Sequence, residues 1–125
     1  MAKPGGVRRV KSYSAANGYV YQYCFCEGNR ATYEGKPAGE FIYAVSADRK
    51  TTFPVRIIVR LSALLAWAQT NGRPLTSSEE YAVAKIRLLA AFDEGSVPLS
   101  AAAVAHTVFL VDESNLEALL GQLNI

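Results

Sequence analysis

The hydrophobic pattern of this chain changes period at residue 60, and that change restricts the folds open to it. Upstream, three runs, Tyr19–Glu27, Glu40–Ser46 and Thr52–Arg60, are rich in β-branched and aromatic residues and bounded by turn chemistry, as strands are. Downstream, "LSALLAWAQTNG" sets Leu61, Leu64, Leu65 and Ala68 at helical spacing, with Asn71-Gly72 as a stop because both residues tolerate positive φ. The next helix announces its own start. Thr76 and Glu79 match a capping box, in which the Thr hydroxyl accepts from the N3 amide and the glutamate reaches back, and the spacing predicts a helix from Ser77 to about Glu94 with Gly95 as its stop.

The connector "SVPLSAAAVA" has no readable period. "HTVFLV", residues 106 to 111, reads as a fourth strand, and "DESNLEALLGQL" as a last helix in which Ser114 and Glu117 can form a second box. The predicted order is β-β-β-α-α-β-α. It gives an α+β domain: a three-stranded antiparallel meander, which the fourth strand can extend, with helices packed on one face.

A chain of 125 residues fits one such domain, with one core. Residues 1 to 12, with Pro4, Gly5, Gly6 and the bases Arg8, Arg9 and Lys11, are expected to be a flexible basic leader that orders against a partner, leaving 13 to 125 as the folded body. Of a net charge of +2, much lies in this leader, so the body is close to neutral and offers little field for phosphate backbones. No apolar run approaches the ~18 residues of a membrane-spanning helix, and the start lacks the apolar segment of a signal peptide. The expected setting is cytoplasmic.

The segment "YVYQYCFCEG", residues 19 to 28, concentrates the residues that could carry chemistry. Cys24 and Cys26 project to one side of a strand with Cα atoms roughly 6.5 Å apart and parallel Cβ vectors, a poor geometry for a mutual disulfide. Zinc needs about four ligands, and His106 is the one histidine, so the expectation is structural thiols, with no metal and no cofactor. His106 has no sequence-local catalytic partner and reads as a strand-end residue. Signatures of serine hydrolases, P-loops, dinucleotide sites and zincins are absent, which favours a non-catalytic module.

Two other features could bind. Lys85 falls within the apolar stripe formed by Tyr81, Leu88, Leu89 and Phe92, where a lysine snorkels, pairs with a carboxylate, contacts an anionic ligand, or becomes a reactive amine. The tyrosines are the second feature. Alternation puts Tyr19, Tyr21, Tyr23 and Phe25 on one side of the first strand and Val20, Gln22, Cys24 and Cys26 on the other, while the third strand opposes Phe53, Val55, Ile57 and Val59 to Arg56, Ile58 and Arg60.

Register decides whether the phenols join the core or the arginines, because a one-residue slip exchanges faces. Burying Val20 and Cys24 costs less than burying three phenols, which favours an open Tyr/Arg face, with Gln22 as the counter-indication. The expected function is protein interaction, as a homodimer or an accessory subunit, through Tyr19, Tyr21, Tyr23, Arg56 and Arg60 with Arg8 and Arg9 as auxiliary contacts. The alternatives are single-stranded nucleic-acid binding by the same face, and a small-ligand binder or enzyme centred on Lys85.

Overall fold

The computed structural model describes residues 9–97 and 107–125. Arg8, His106 and most of the 96–104 connector lie outside the described residues. The chain runs β1 (Lys11–Ser14), β2 (Val20–Tyr33), β3 (Lys36–Ser46), β4 (Phe53–Arg60), α1 (Leu61–Asn71), α2 (Ser77–Glu94), β5 (Thr107–Val111) and α3 (Leu116–Gln122). The class is α+β. Strands β1 to β4 form an antiparallel meander, and β5 joins at the far side of β4, parallel to it, after α1 and α2. Strand β5 therefore closes a crossover rather than another hairpin, as parallel pairing requires.

Two elements differ from the sequence reading. Strand β1, absent from it, begins at Lys11, inside the segment read as a leader. The stretch "EGNRATYEGKPAG", read as a linker, is the body of one long hairpin. Its turn is Glu34-Gly35, both at positive φ (52° and 78°), between the paired residues Tyr33 and Lys36. Two positive-φ residues in succession match the right-handed twist of the flanking strands.

The helix ends follow their sequence signals. Thr76 Oγ1 accepts from the Glu79 amide at 3.1 Å and the Glu79 carboxylate accepts from the Thr76 amide at 2.8 Å, so the capping box is formed. Gly72 and Gly95 close α1 and α2 in the left-handed conformation. The second box is not formed. Asn115 caps α3 without a side-chain bond to the helix amides, and Ser114 instead donates its amide and hydroxyl to Asp112. In α1, Ala63 and Leu64 are buried but Leu65 is 60 % exposed, so the inward stripe is narrower than the leucines suggest.

The core gathers alternate residues of the sheet, Tyr21 and Tyr23 from β2, Tyr43 and Val45 from β3, and Phe53, Val55, Ile57 and Val59 from β4. All three helices contribute to it, through Leu64, Leu88, Phe92 and Leu120 among others. In the ladder Tyr23 stands opposite Val45, which stands opposite Phe53. The phenols thus share the face of the apolar set of β4, and the open-face register favoured by the sequence is overturned.

Candidate functional site

Three aromatic contacts explain why the phenol rings go inside. The Tyr21 ring stacks on Phe92 of α2 at 4.3 Å and 8°, Tyr23 approaches the same ring at 6.0 Å, and Phe25 meets Tyr81 edge-on at 5.0 Å. Ring burial of this kind adds offset and edge contacts to a large apolar area. It outweighs the cost of the hydroxyls, which is nonetheless present: the buried oxygens of Tyr21 and Tyr43 find no hydrogen-bond partner among the described residues. Burial, and next the neighbouring Tyr81, push the Tyr43 phenol well above its usual range. Burial likewise raises Tyr23, with Lys11 opposing.

Tyr19 lies ahead of β2, half exposed, its amide donating to Asn17 Oδ1 at 3.0 Å. Arg9 is exposed ahead of β1. The sheet separates Tyr21 and Tyr23 from Arg56 and Arg60, so the sequence-derived set is divided between two faces.

What stands with the arginines is Tyr33, which the sequence reading did not single out. The register of β2 against β3 shifts between Phe25 and Glu27, leaving Cys26 as the extra residue of a β-bulge. Such an insertion exchanges the faces of everything beyond it. Before the bulge the odd-numbered residues of β2 face the core; after it Gly28 sits opposite Phe41, and Tyr33 points to the other side with Arg56 and Arg60. Gly28 suits its new position, because a Cβ there would lie 3.3 Å from the Phe41 ring.

On this outer face the Arg60 guanidinium lies 5.2 Å from the Tyr33 ring centroid and that of Arg56 5.9 Å from it. Both cations are held from below. Arg56 bonds Glu40 at 2.5 Å, and Arg60 bonds Glu34 at 2.5 Å and the Tyr33 carbonyl at 2.8 Å. Around them stand half-buried Ile42, Val108 and Leu110, with Ile58 fully buried beneath. The result is an aromatic ring between two fixed, charge-balanced guanidiniums in a partly apolar surround.

Lys85 is half-buried on α2 and takes part in none of the ion pairs among the described residues. The Lys11 side chain, then burial, then the Lys11 charge push its amine below the usual lysine range.

Cys24 and Cys26 are half-buried, Cys26 Sγ lying 3.9 Å from the Cys24 carbonyl. Among the described residues no group of three or more His, Cys, Asp or Glu side chains converges as a metal site would. No helix among them is long and apolar enough to cross a membrane. Comparison with protein-family models, with curated proteins and with solved structures gives no match, so geometry alone guides the functional reading.

Proposed function

We propose that this chain is a small non-catalytic protein-interaction module, and that its contact surface is the outer sheet face around Tyr33, Arg56 and Arg60. The observation that carries the reading is the Tyr33 ring held against two guanidiniums. Tyrosine and arginine dominate the energetic centres of protein interfaces, and side chains already fixed lose little entropy on binding.

Charge balance favours protein over nucleic acid. Arg56 and Arg60 are committed to Glu40 and Glu34, whereas affinity for a phosphate backbone rests on cations free to displace counterions. A face with both signs of charge around an apolar centre can also match itself across a two-fold axis, so a second copy of the chain is the first partner to seek. A cytoplasmic setting belongs to this reading.

Light scattering across a concentration series tests it. The wild type is expected to dimerise, and Tyr33→Ala is expected to weaken the dimer by about tenfold or more, the size of a modest interface hot spot. A wild type that stays monomeric throughout would rule out self-association. Tight binding of single-stranded oligonucleotides that falls steeply with salt would replace the protein reading with the nucleic-acid one.

A further inference from the structure

Helix α1 and the turn that leads into α3 enclose a cavity of about 140 Å³. Ala63 and Leu116, both almost fully buried, belong to its lining, so its inner wall is the core itself. Trp67 borders it on the α1 side, and Glu113 and Glu117 border it on the other. Pockets for cofactors and drug-sized molecules begin at ~300 Å³, so the group this cavity suits is a single small head group.

The chemistry of the lining is one-sided. Neither glutamate takes part in an ion pair among the described residues, and no lysine, arginine or histidine among them lines the cavity. Asn71 adds an acceptor: its amide nitrogen donates to the Trp67 carbonyl at 2.9 Å, which leaves the amide oxygen to accept. The indole shows which cation suits it. The Arg73 guanidinium lies 5.2 Å from the Trp67 ring centroid without lining the cavity, and both Glu79 oxygens hold it there, so the ring is fixed. A planar guanidinium lies flat on an aromatic ring and divides its five N–H donors between carboxylates, whereas an ammonium is a compact, strongly hydrated point charge.

We propose that this cavity is a binding site for the guanidinium of an arginine side chain presented by a partner protein, with Glu113 and Glu117 as its acceptors and Trp67 as the ring it lies against. The site shares no residue with the face around Tyr33 and does not rest on the reading of that face.

Trp67 is the one tryptophan of the chain, so its fluorescence reports on the site without a label. The test titrates the full chain at low ionic strength with a blocked glycine-arginine-glycine peptide, with the same peptide carrying citrulline in place of arginine, and with free arginine. Citrulline keeps the size and planarity of the head group but not its charge. A saturable change in emission is expected with the arginine peptide, and binding about tenfold weaker or less with the citrulline peptide. Binding of the peptide alone means that the group is read as part of a chain; binding of free arginine as well means that the head group suffices, and either result supports the site.

Glu113→Gln and Glu117→Gln keep the side-chain shape at two exposed positions and are each expected to weaken binding of the arginine peptide by about tenfold, as loss of one charge-assisted bond would. An unchanged emission spectrum of each variant without peptide shows that the loss is not a folding defect. The proposal is overturned by emission that does not saturate with the arginine peptide, by a citrulline peptide that binds as tightly, or by undiminished binding in both glutamine variants.

Discussion

At the scale of single residues the hydroxyl of Tyr43, like that of Tyr21, is poorly matched to its surroundings. It is fully buried, it makes no hydrogen bond of ordinary geometry among the described residues although the Tyr81 hydroxyl stands near enough to raise its pKa, and burial is the first cause of that shift. A buried polar atom without a partner forfeits its hydration for nothing, and removing it while keeping the ring relieves that cost. Tyr43→Phe is therefore expected to raise stability by about 1 kcal/mol, read from urea unfolding. The same variant bears on alkaline stability. A phenol whose folded pKa exceeds the unfolded value of 10.0 stabilises below that value, and the contribution is lost as pH rises from there towards the folded pKa, so Tyr43→Phe is expected to lessen alkaline destabilisation. Loss of stability in the variant would instead show that the hydroxyl makes a bond in solution.

At the scale of elements, α2 is anchored at its start by the Thr76–Glu79 box, and Arg73 reinforces it by bonding both Glu79 oxygens at 2.9 and 3.0 Å. The Arg73 bonds first, and then the Thr76 amide, hold the Glu79 carboxyl at about 2, against an ordinary value of 4.5. A carboxylate depressed in this way stabilises the fold above the unfolded pKa and ceases to do so as pH falls through the folded one. Urea midpoints are accordingly expected to decline from about pH 4.5 towards pH 2, and Glu79→Gln to lower the neutral value and flatten that decline. An unchanged acid slope in the variant would place the loss elsewhere.

The hairpin of β2 and β3 is the element where reading from sequence fell short. Strands β3 and β4 and the ends of α2 were legible because each has a local signal: alternation, a capping pair, a terminal glycine. The bulge has none. Yet Glu34-Gly35 carries the composition of a two-residue turn, and pairing outward from it without interruption sets Phe25 opposite Ala44, away from the core. Only an extra residue reconciles that turn with a core face of Tyr43 and Val45, so the signal for the bulge, and for Tyr33, lay in combining the two ends of the hairpin. Strand β1 was not legible for another reason: "KSYS" offers one aromatic and no apolar alternation, and it is made a strand by its long-range pairing with β2.

For the whole molecule, the sheet order places β3 and β4 in the middle and β1 at an edge. Central strands open only with the fold, whereas a short edge strand can detach alone, so amide exchange is expected to be slowest in β3 and β4 and faster in β1. Asp93 at the end of α2 restrains that edge. Its carboxylate accepts from the Tyr13 hydroxyl at 2.7 Å and the Ala16 amide at 2.9 Å, while Asn17 donates to the Phe92 carbonyl at 3.2 Å. Asp93→Ala is expected to speed exchange of residues 12 to 16 selectively, leaving β3 and β4 protected. Equal acceleration in all strands would mean that β1 does not open independently. The other edge is closed differently: the Leu110 carbonyl of β5 accepts from both Arg87 and Asn115, which occupies an acceptor that a foreign strand would otherwise use.

The bulge at Cys26 also sets a rule for how this chain can vary in length. Beyond it, the inside and outside of β2 are fixed by the count of residues from the bulge. With the bulge kept, losing or gaining one residue of β2 between it and Arg30 would turn Tyr33 inward and bring Arg30 to the outside. Matched additions of two residues to each arm would leave every side chain on its own side. Natural or designed versions of this protein are therefore expected to lengthen or shorten the hairpin in even steps, and an odd step should appear only alongside the loss or creation of a second bulge.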